Sequence, residues 1–257
     1  MPVLMGVLLF ILLLWLFLRN TPHLTVLMYH KVDPLRQDAL TVSTAQLDEQ
    51  FRWLVQSGYQ SVSVSDLLQR LKNRSPLPPK TVLITFDDAY VNNLNYALPI
   101  LQQHRLRATL FVPTAYIGGC NEWDGCTEPL MSLDQLRSLP AETIEIGLHS
   151  HRHQHFARLL TAEIQQDLIE NIRVLTENGL PFVPALAYPY GGRPKERGAR
   201  AAMQKTMSEL GIDMAFRIGN RLNRWPIRNR YEIRRLDIRG TDALVQFIRK
   251  VHWGKWL

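Results

Sequence analysis

Half of the chain's eight histidines fall in one stretch, GLHSHRHQHF, at positions 149, 151, 153 and 155. Imidazole is a common ligand for divalent metal ions and a proton carrier near neutral pH, so this cluster raises metal chemistry first. Two geometries are open. An extended segment places all four side chains on one face, whereas a helical turn pairs His149 with His153 and His151 with His155. Upstream, the apolar run TVLITF ends in two adjacent carboxylates, Asp87 and Asp88. Neighbouring anions repel, and the end of a buried strand tolerates both when a cation or a proton separates their roles. In a metal site one aspartate ligates and stays ionised while the other takes a proton from water. A helix N-cap pair is the structural alternative for the same two residues. If the chain coils after His149, then His149, His153 and one aspartate make a three-ligand set that leaves positions for water, as catalytic zinc requires.

Groups so far apart in sequence need a scaffold that gathers strand ends. Short runs rich in Val, Ile, Thr and aromatics alternate with longer segments of helical period, which is the pattern of β/α units. Seven strand candidates follow: 25–30, 81–86, 108–114, 143–149, 185–190, 214–218 and 232–238. A helix is expected over STAQLDEQFRWLVQSG, with Leu47, Phe51, Leu54 and Val55 on one face and Gly58 as its stop. A second is expected over TAEIQQDLIENIRVLTENG, starting at Thr161 and Glu163 and ending before Gly179. The proline-rich link at 74–80 cannot continue a helix. Alternating β/α folds collect their chemistry at the carboxyl ends of strands, which is where Asp87, Asp88 and His149 fall.

At 257 residues and 46% hydrophobic content, the chain can bury one substantial core. Its formal charge of +7 is local: from Arg193 onward there are 16 Lys and Arg against 6 Asp and Glu. No nucleic-acid signature accompanies this basic end, so no nucleic-acid partner is expected. Residues 1–18 carry no charge and as a helix would reach about 27 Å, close to a bilayer core. They read as a membrane anchor over 1–20, followed by one domain over 21–257. A cleaved signal is the rival, but it lacks a basic start and a small-residue cleavage site. Arg19, Lys31 and Arg36 all follow the apolar run, and that bias taken alone puts the domain in the cytoplasm. Trp253, Trp256 and the basic residues of the C-terminus suit a lipid interface. Cys120 and Cys126 are too few for a disulfide framework; they either pair in an oxidising compartment or stay free.

Taken together, these residues resemble the polysaccharide deacetylases of the NodB-homology type, carbohydrate esterase family 4, and among them the poly-N-acetylglucosamine deacetylases. TFDD with a small residue after it is Thr85 to Ala89, His-Ser-x-x-His is HSHRH, and the motif ending in Pro-Tyr-Gly is AYPYG at 187–191. LMYHKVDP, LPPKTVLITFDD and PILQQHRLRATLFV match in order and spacing, and the resemblance runs from about residue 24 to 240. It implies a distorted (β/α)7-type barrel preceded here by one membrane-spanning helix. It implies Asp88, His149 and His153 as metal ligands, with zinc the default among divalent ions, and Asp87 as the base for a metal-bound water. Tyr190 then offers its backbone N–H to an oxyanion. Two departures stand out. Ala187 occupies the place of an Arg that orients the catalytic Asp, and Arg235 is the candidate replacement; the late histidine motif that supplies a general acid is missing, and His30 is the candidate there. The implied reaction removes an N-acetyl group from a sugar of an envelope glycan, with the domain outside the bacterial inner membrane. A lipid-linked amino sugar is the alternative substrate, and an inactive, anchored glycan-binding protein the non-enzymatic alternative.

Overall fold

The computed structural model describes residues 22–254. Seven parallel strands close a ring: β1 (His23–Tyr29), β2 (Thr81–Asp87), β3 (Ala108–Val112), β4 (Ile144–Leu148), β5 (Ala185–Ala187), β6 (Met214–Ile218) and β7 (Ile233–Asp237). Each pairs with the next, and β1 closes the barrel by pairing with β2 on one side, from Leu24↔Thr81 to Tyr29↔Phe86, and with β7 on the other. Two short strands, Gln60–Ser61 and Asn223–Arg224, extend the sheet beside β2 and β1. The seven barrel strands are the seven expected from the sequence, with shifted ends. The fifth stops at Ala187 because Pro189, which has no N–H to give the ladder, opens a 3-10 turn over Pro189–Gly191.

Alternation along the strands sorts side chains between two cores. Leu24, Val26, Leu83, Ala185, Met214, Phe216 and Ile233 pack inside the barrel, whereas Leu27, Val82, Ile84, Leu110 and Ile146 pack outward beneath the helices. The same parity turns Thr85 and Asp87 inward after Leu83, and Arg235 inward after Ile233. Among the described residues the α-helices number seven: α1 (Thr44–Gln56), α2 (Val64–Lys72), α3 (Leu98–Gln103), α4 (Leu133–Arg137), α5 (Thr161–Glu177), α6 (Arg197–Glu209) and α7 (Leu244–Trp253). Val64 and Leu67 of α2 join the interior cluster and close the barrel where its strands begin.

Two helical expectations need correction. Val55 is 44% exposed, and Gln50 takes its place on the buried face of α1, where it accepts the Tyr29 hydroxyl proton at 2.8 Å. α5 starts at Thr161 as expected, and because its N-cap Leu160 has no side-chain oxygen, capping falls to the Glu163 carboxylate, which accepts the Leu160 N–H at 2.6 Å. In α7, Lys250 is drawn inward to the Asp237 carbonyl and Asp242, which removes one charge from the surface expected to face lipid. Trp253 is exposed, and Trp256 lies outside the described residues, as does the expected anchor over 1–20. Among the described residues, no helix is long and apolar enough to cross a membrane.

Candidate metal centre

The ends of β2 and β4 meet at one mouth. Asp87 closes β2 with its side chain inside the barrel, and Asp88 and Ala89 then adopt left-handed backbone (φ 75° and 58°) that turns the chain away. His149 follows β4 directly, and Ser150 and His153 are also left-handed (φ 65° and 51°). The histidine segment is therefore neither extended nor helical, yet it joins the pair that a helical turn would have joined. His149 Nε2 lies 3.3 Å and His153 Nε2 3.2 Å from Asp88 Oδ1. One ligand atom from each of these buried residues lies within 4.8 Å of the others. His151 turns to Thr114 Oγ1 at 3.1 Å, and His155 stacks on Tyr190.

The chemistry of the donors tests whether a cation fits. His149 Nδ1 donates to the Ala187 carbonyl at 2.8 Å, so in the neutral ring Nε2 presents a lone pair to Asp88 Oδ1, a buried oxygen with no hydrogen-bond partner. A lone pair facing an anion at this range is repulsive unless a proton or a metal ion lies between them. Metal–ligand bonds of about 2.0–2.1 Å in tetrahedral geometry give donor–donor edges of about 3.3–3.4 Å, close to the two observed distances. Two imidazoles and a carboxylate suit zinc and other divalent ions. The Nδ1 bond to Ala187 is the outer contact that fixes the tautomer of a ligating histidine.

Asp87 has a different partner. Arg235 of β7 donates Nη1 to Oδ1 at 2.6 Å and Nη2 to Oδ2 at 2.7 Å, and its Nη1 also reaches Thr85 Oγ1 at 3.3 Å. Both side chains are buried, and the guanidinium comes from β7 rather than from position 187 on β5, which holds a buried alanine. Burial works against ionisation of Asp87, but Arg235 and then His149 outweigh it and hold its carboxyl below the ordinary range. At Asp88, burial is outweighed by the two imidazoles, and the carboxyl lies well below that range. Burial also disfavours charge on both histidines; the facing Asp87 reverses this at His149 and raises it, whereas His153 stays lowered. His30, just past β1, brings Nε2 to 3.9 Å from Asp87 Oδ2.

The third strand end contributes Tyr190, which is left-handed (φ 58°), 52% exposed and 4.8 Å from the His153 ring between centroids. Gly191 beside it has φ 64°, and a Cβ there would meet Ile218 Cγ1 at 2.9 Å, so only glycine fits. Trp123 also packs on His153, at 4.1 Å between centroids, from a loop closed by the Cys120–Cys126 disulfide. Sequence reasoning missed Trp123 as part of the mouth, and it missed the Ala187 carbonyl because a main-chain acceptor has no residue signature. It also missed Asp167 of α5, which binds the histidine loop. Asp167 and Asn171, four apart within an apolar stripe, were the available signal.

A closed parallel barrel with carboxylates and imidazoles converging at its carboxyl end defines a β/α-barrel protein whose candidate site has the donors to hold a divalent ion. Residues 74–215 match the polysaccharide deacetylase family, and the chain belongs to it: these are hydrolases of carbon–nitrogen bonds other than peptide bonds. The Bacillus subtilis protein YxkH is 25% identical over 198 residues, 77% of this chain and 67% of that one. A poly-beta-1,6-N-acetyl-D-glucosamine N-deacetylase of Staphylococcus aureus is 27% identical over 160 residues, 59% of this chain and 54% of that protein, so the match spans about half its length. Among solved structures, IcaB from Ammonifex degensii superposes with a TM-score of 0.75 at 22% identity, covering 90% of this chain and 97% of that one. That likeness shows the fold.

Proposed function

We propose that the mouth hydrolyses the N-acetyl amide of an amino sugar in an envelope glycan, with poly-N-acetylglucosamine as the first substrate to test. The observation that carries this reading is the division of labour between two adjacent aspartates: Asp88 faces two imidazoles, and Asp87 faces a guanidinium. Asp88, His149 and His153 would hold a divalent ion, zinc by ligand type, and such an ion polarises a carbonyl and makes water more acidic. Asp87 takes the proton of the attacking water; its lowered pKa keeps it ionised, so activity falls as pH drops through that value and the base is lost. Arg235 fixes the carboxylate plane and leaves Oδ2 facing His30. His30 delivers a proton to the departing amine, and the Tyr190 N–H receives the developing oxyanion.

The Cys120–Cys126 disulfide supports a place in an oxidising compartment, and the uncharged first 18 residues support an anchor, so we place the domain on the envelope side of a bacterial inner membrane. The test is bound metal and amine release measured together, on N-acetylglucosamine oligomers with and without added zinc. Metal-dependent amine release is the expected result; stoichiometric metal with no release from any N-acetylated glycan or lipid-linked amino sugar would leave only glycan binding. His30→Ala should slow the amide far more than an aryl ester, whose leaving group needs little protonation. Equal losses would remove His30 from the role of acid.

A further inference from the structure

We infer that Asp167 is a positioning residue that sets the geometry of the metal centre through the backbone of the loop between its two histidines. This rests on the assignment of His149 and His153 as ligands. Asp167 sits in the buried stripe of α5 with Ile164, Leu168, Asn171 and Leu175 and is 7% exposed. Its Oδ1 accepts the His151 N–H at 2.8 Å and its Oδ2 the Arg152 N–H at 2.9 Å. These are consecutive amides between the two ligands, and each is a charge-assisted bond to a buried carboxylate.

One turn along α5, Asn171 Nδ2 donates to Thr114 Oγ1 at 2.9 Å and to the Val112 carbonyl at 3.3 Å, and Thr114 in turn meets His151 Nδ1. A single helix face thus ties the middle of the loop to the end of β3.

The loop needs such a tie because Ser150 and His153 are both left-handed without being glycine, a conformation that persists only where the surroundings over-determine it. The two ligands also differ in support. The His149 ring is oriented by its Nδ1 bond to Ala187, but His153 Nδ1 is buried with no hydrogen-bond partner. Metal-binding histidines ordinarily donate that second nitrogen to an outer acceptor. For His153 the orientation must come from its backbone, and hence from Asp167, together with the Trp123 ring stacked on it. Hydrogen bonds to Asp167 at the loop therefore do for His153 what the Ala187 carbonyl does for His149.

The test uses the full chain, with metal affinity read by competition against a chromophoric chelator and ligand geometry read from the absorption spectrum of the cobalt-loaded protein. Asp167→Ala should weaken metal binding by roughly 10- to 100-fold, the range for loss of an outer partner, and should alter the cobalt spectrum. Asp167→Asn keeps one acceptor oxygen and should recover part of the affinity. Leu175→Ala, two turns away on the same helix, should lower Tm while leaving affinity and spectrum as in the wild type. Wild-type affinity and spectrum in Asp167→Ala would overturn the inference and leave the metal centre standing. An equal loss in Leu175→Ala would overturn it by showing an effect of global stability alone. A wild-type chain that binds no divalent ion would overturn the metal centre and this inference together.

Discussion

The two ends of the barrel are built from the same strands and differ in almost everything else. Where the strands begin, the interior is filled by Leu24, Val26, Leu83, Met214 and Ile233 and closed by Val64, Leu67 and Leu77. Where they end, the interior positions hold Asp87 and Arg235, and the mouth adds Asp88, His149 and His153, all buried. Five non-glycine residues at or beside that mouth, Asp88, Ala89, Ser150, His153 and Tyr190, have positive φ. The lower end is held by hydrophobic burial, which is non-directional. The upper end holds charges whose desolvation roughly offsets their attraction, so it adds little stability and a defined geometry. One alternating pattern serves both because chemistry needs only the last inward-facing residue of each strand.

Asp87→Asn should break that contrast most sharply. The amide matches the carboxylate in shape but cannot take a proton, so turnover should fall by about 10²–10⁴, the range for loss of a general base, with bound metal retained. Loss of metal instead would mean that Asp87, not Asp88, is the ligand.

A paired experiment compares stability at the two ends. Arg235→Met leaves Asp87 buried without its partner and should cost about 3–5 kcal/mol near neutral pH. The wild-type pairing lowers the folded-state pKa of Asp87. Its contribution is therefore complete above the unfolded pKa of about 3.9 and is lost as pH falls through the lower folded value. In the variant, burial without the guanidinium raises that pKa, so the deficit should shrink as the solution is acidified. Leu83→Ala at the apolar end should cost about 2–5 kcal/mol by leaving a cavity, with no such pH dependence and with kcat unchanged in the folded protein. Thermal unfolding from pH 7 to pH 3 separates the two; parallel curves would mean that an unpaired buried charge on Asp87 is not what destabilises Arg235→Met.

How legible each end was follows from the same difference. The apolar end is written in composition, and all seven barrel strands could be read from runs such as TVLITF and TVLMYH. At the mouth, Asp87, Asp88, His149 and His153 were legible as residue types at strand ends. Their convergence was expected only on condition of a coil after His149 or as what the family resemblance implies, because the left-handed backbone at Ser150 and His153 that produces it is not encoded in glycine. Arg235 was the candidate by resemblance, with an ordinary surface strand arginine as the alternative, since inward parity on β7 becomes visible only with the barrel register. Asp167 looked like an ordinary helical carboxylate, because its partners are main-chain amides that any residues at 151 and 152 would supply. Val55 was misassigned because a mostly apolar stripe of period 3.6 also admits its edge positions, and the Tyr29 hydroxyl drew Gln50 into the core in its place.

The smallest effect concerns Ala89, where the family pattern has glycine. Its φ of 58° explains the preference, since a Cβ in left-handed backbone costs about 1–2 kcal/mol. Two terms oppose the return to glycine. The Ala89 methyl is buried at 2% exposure in the outer core, and removing it forfeits about 0.8 kcal/mol; glycine also frees the unfolded chain by about 0.4–1 kcal/mol. These nearly cancel, so Ala89→Gly should change stability by less than about 1 kcal/mol and leave metal affinity unaltered. A larger stabilisation would mean that the methyl packs poorly against its neighbours. A change in metal affinity would mean that strain at Ala89 reaches Asp88, and the mouth would then depend on its backbone at β2 as we infer it does at the histidine loop.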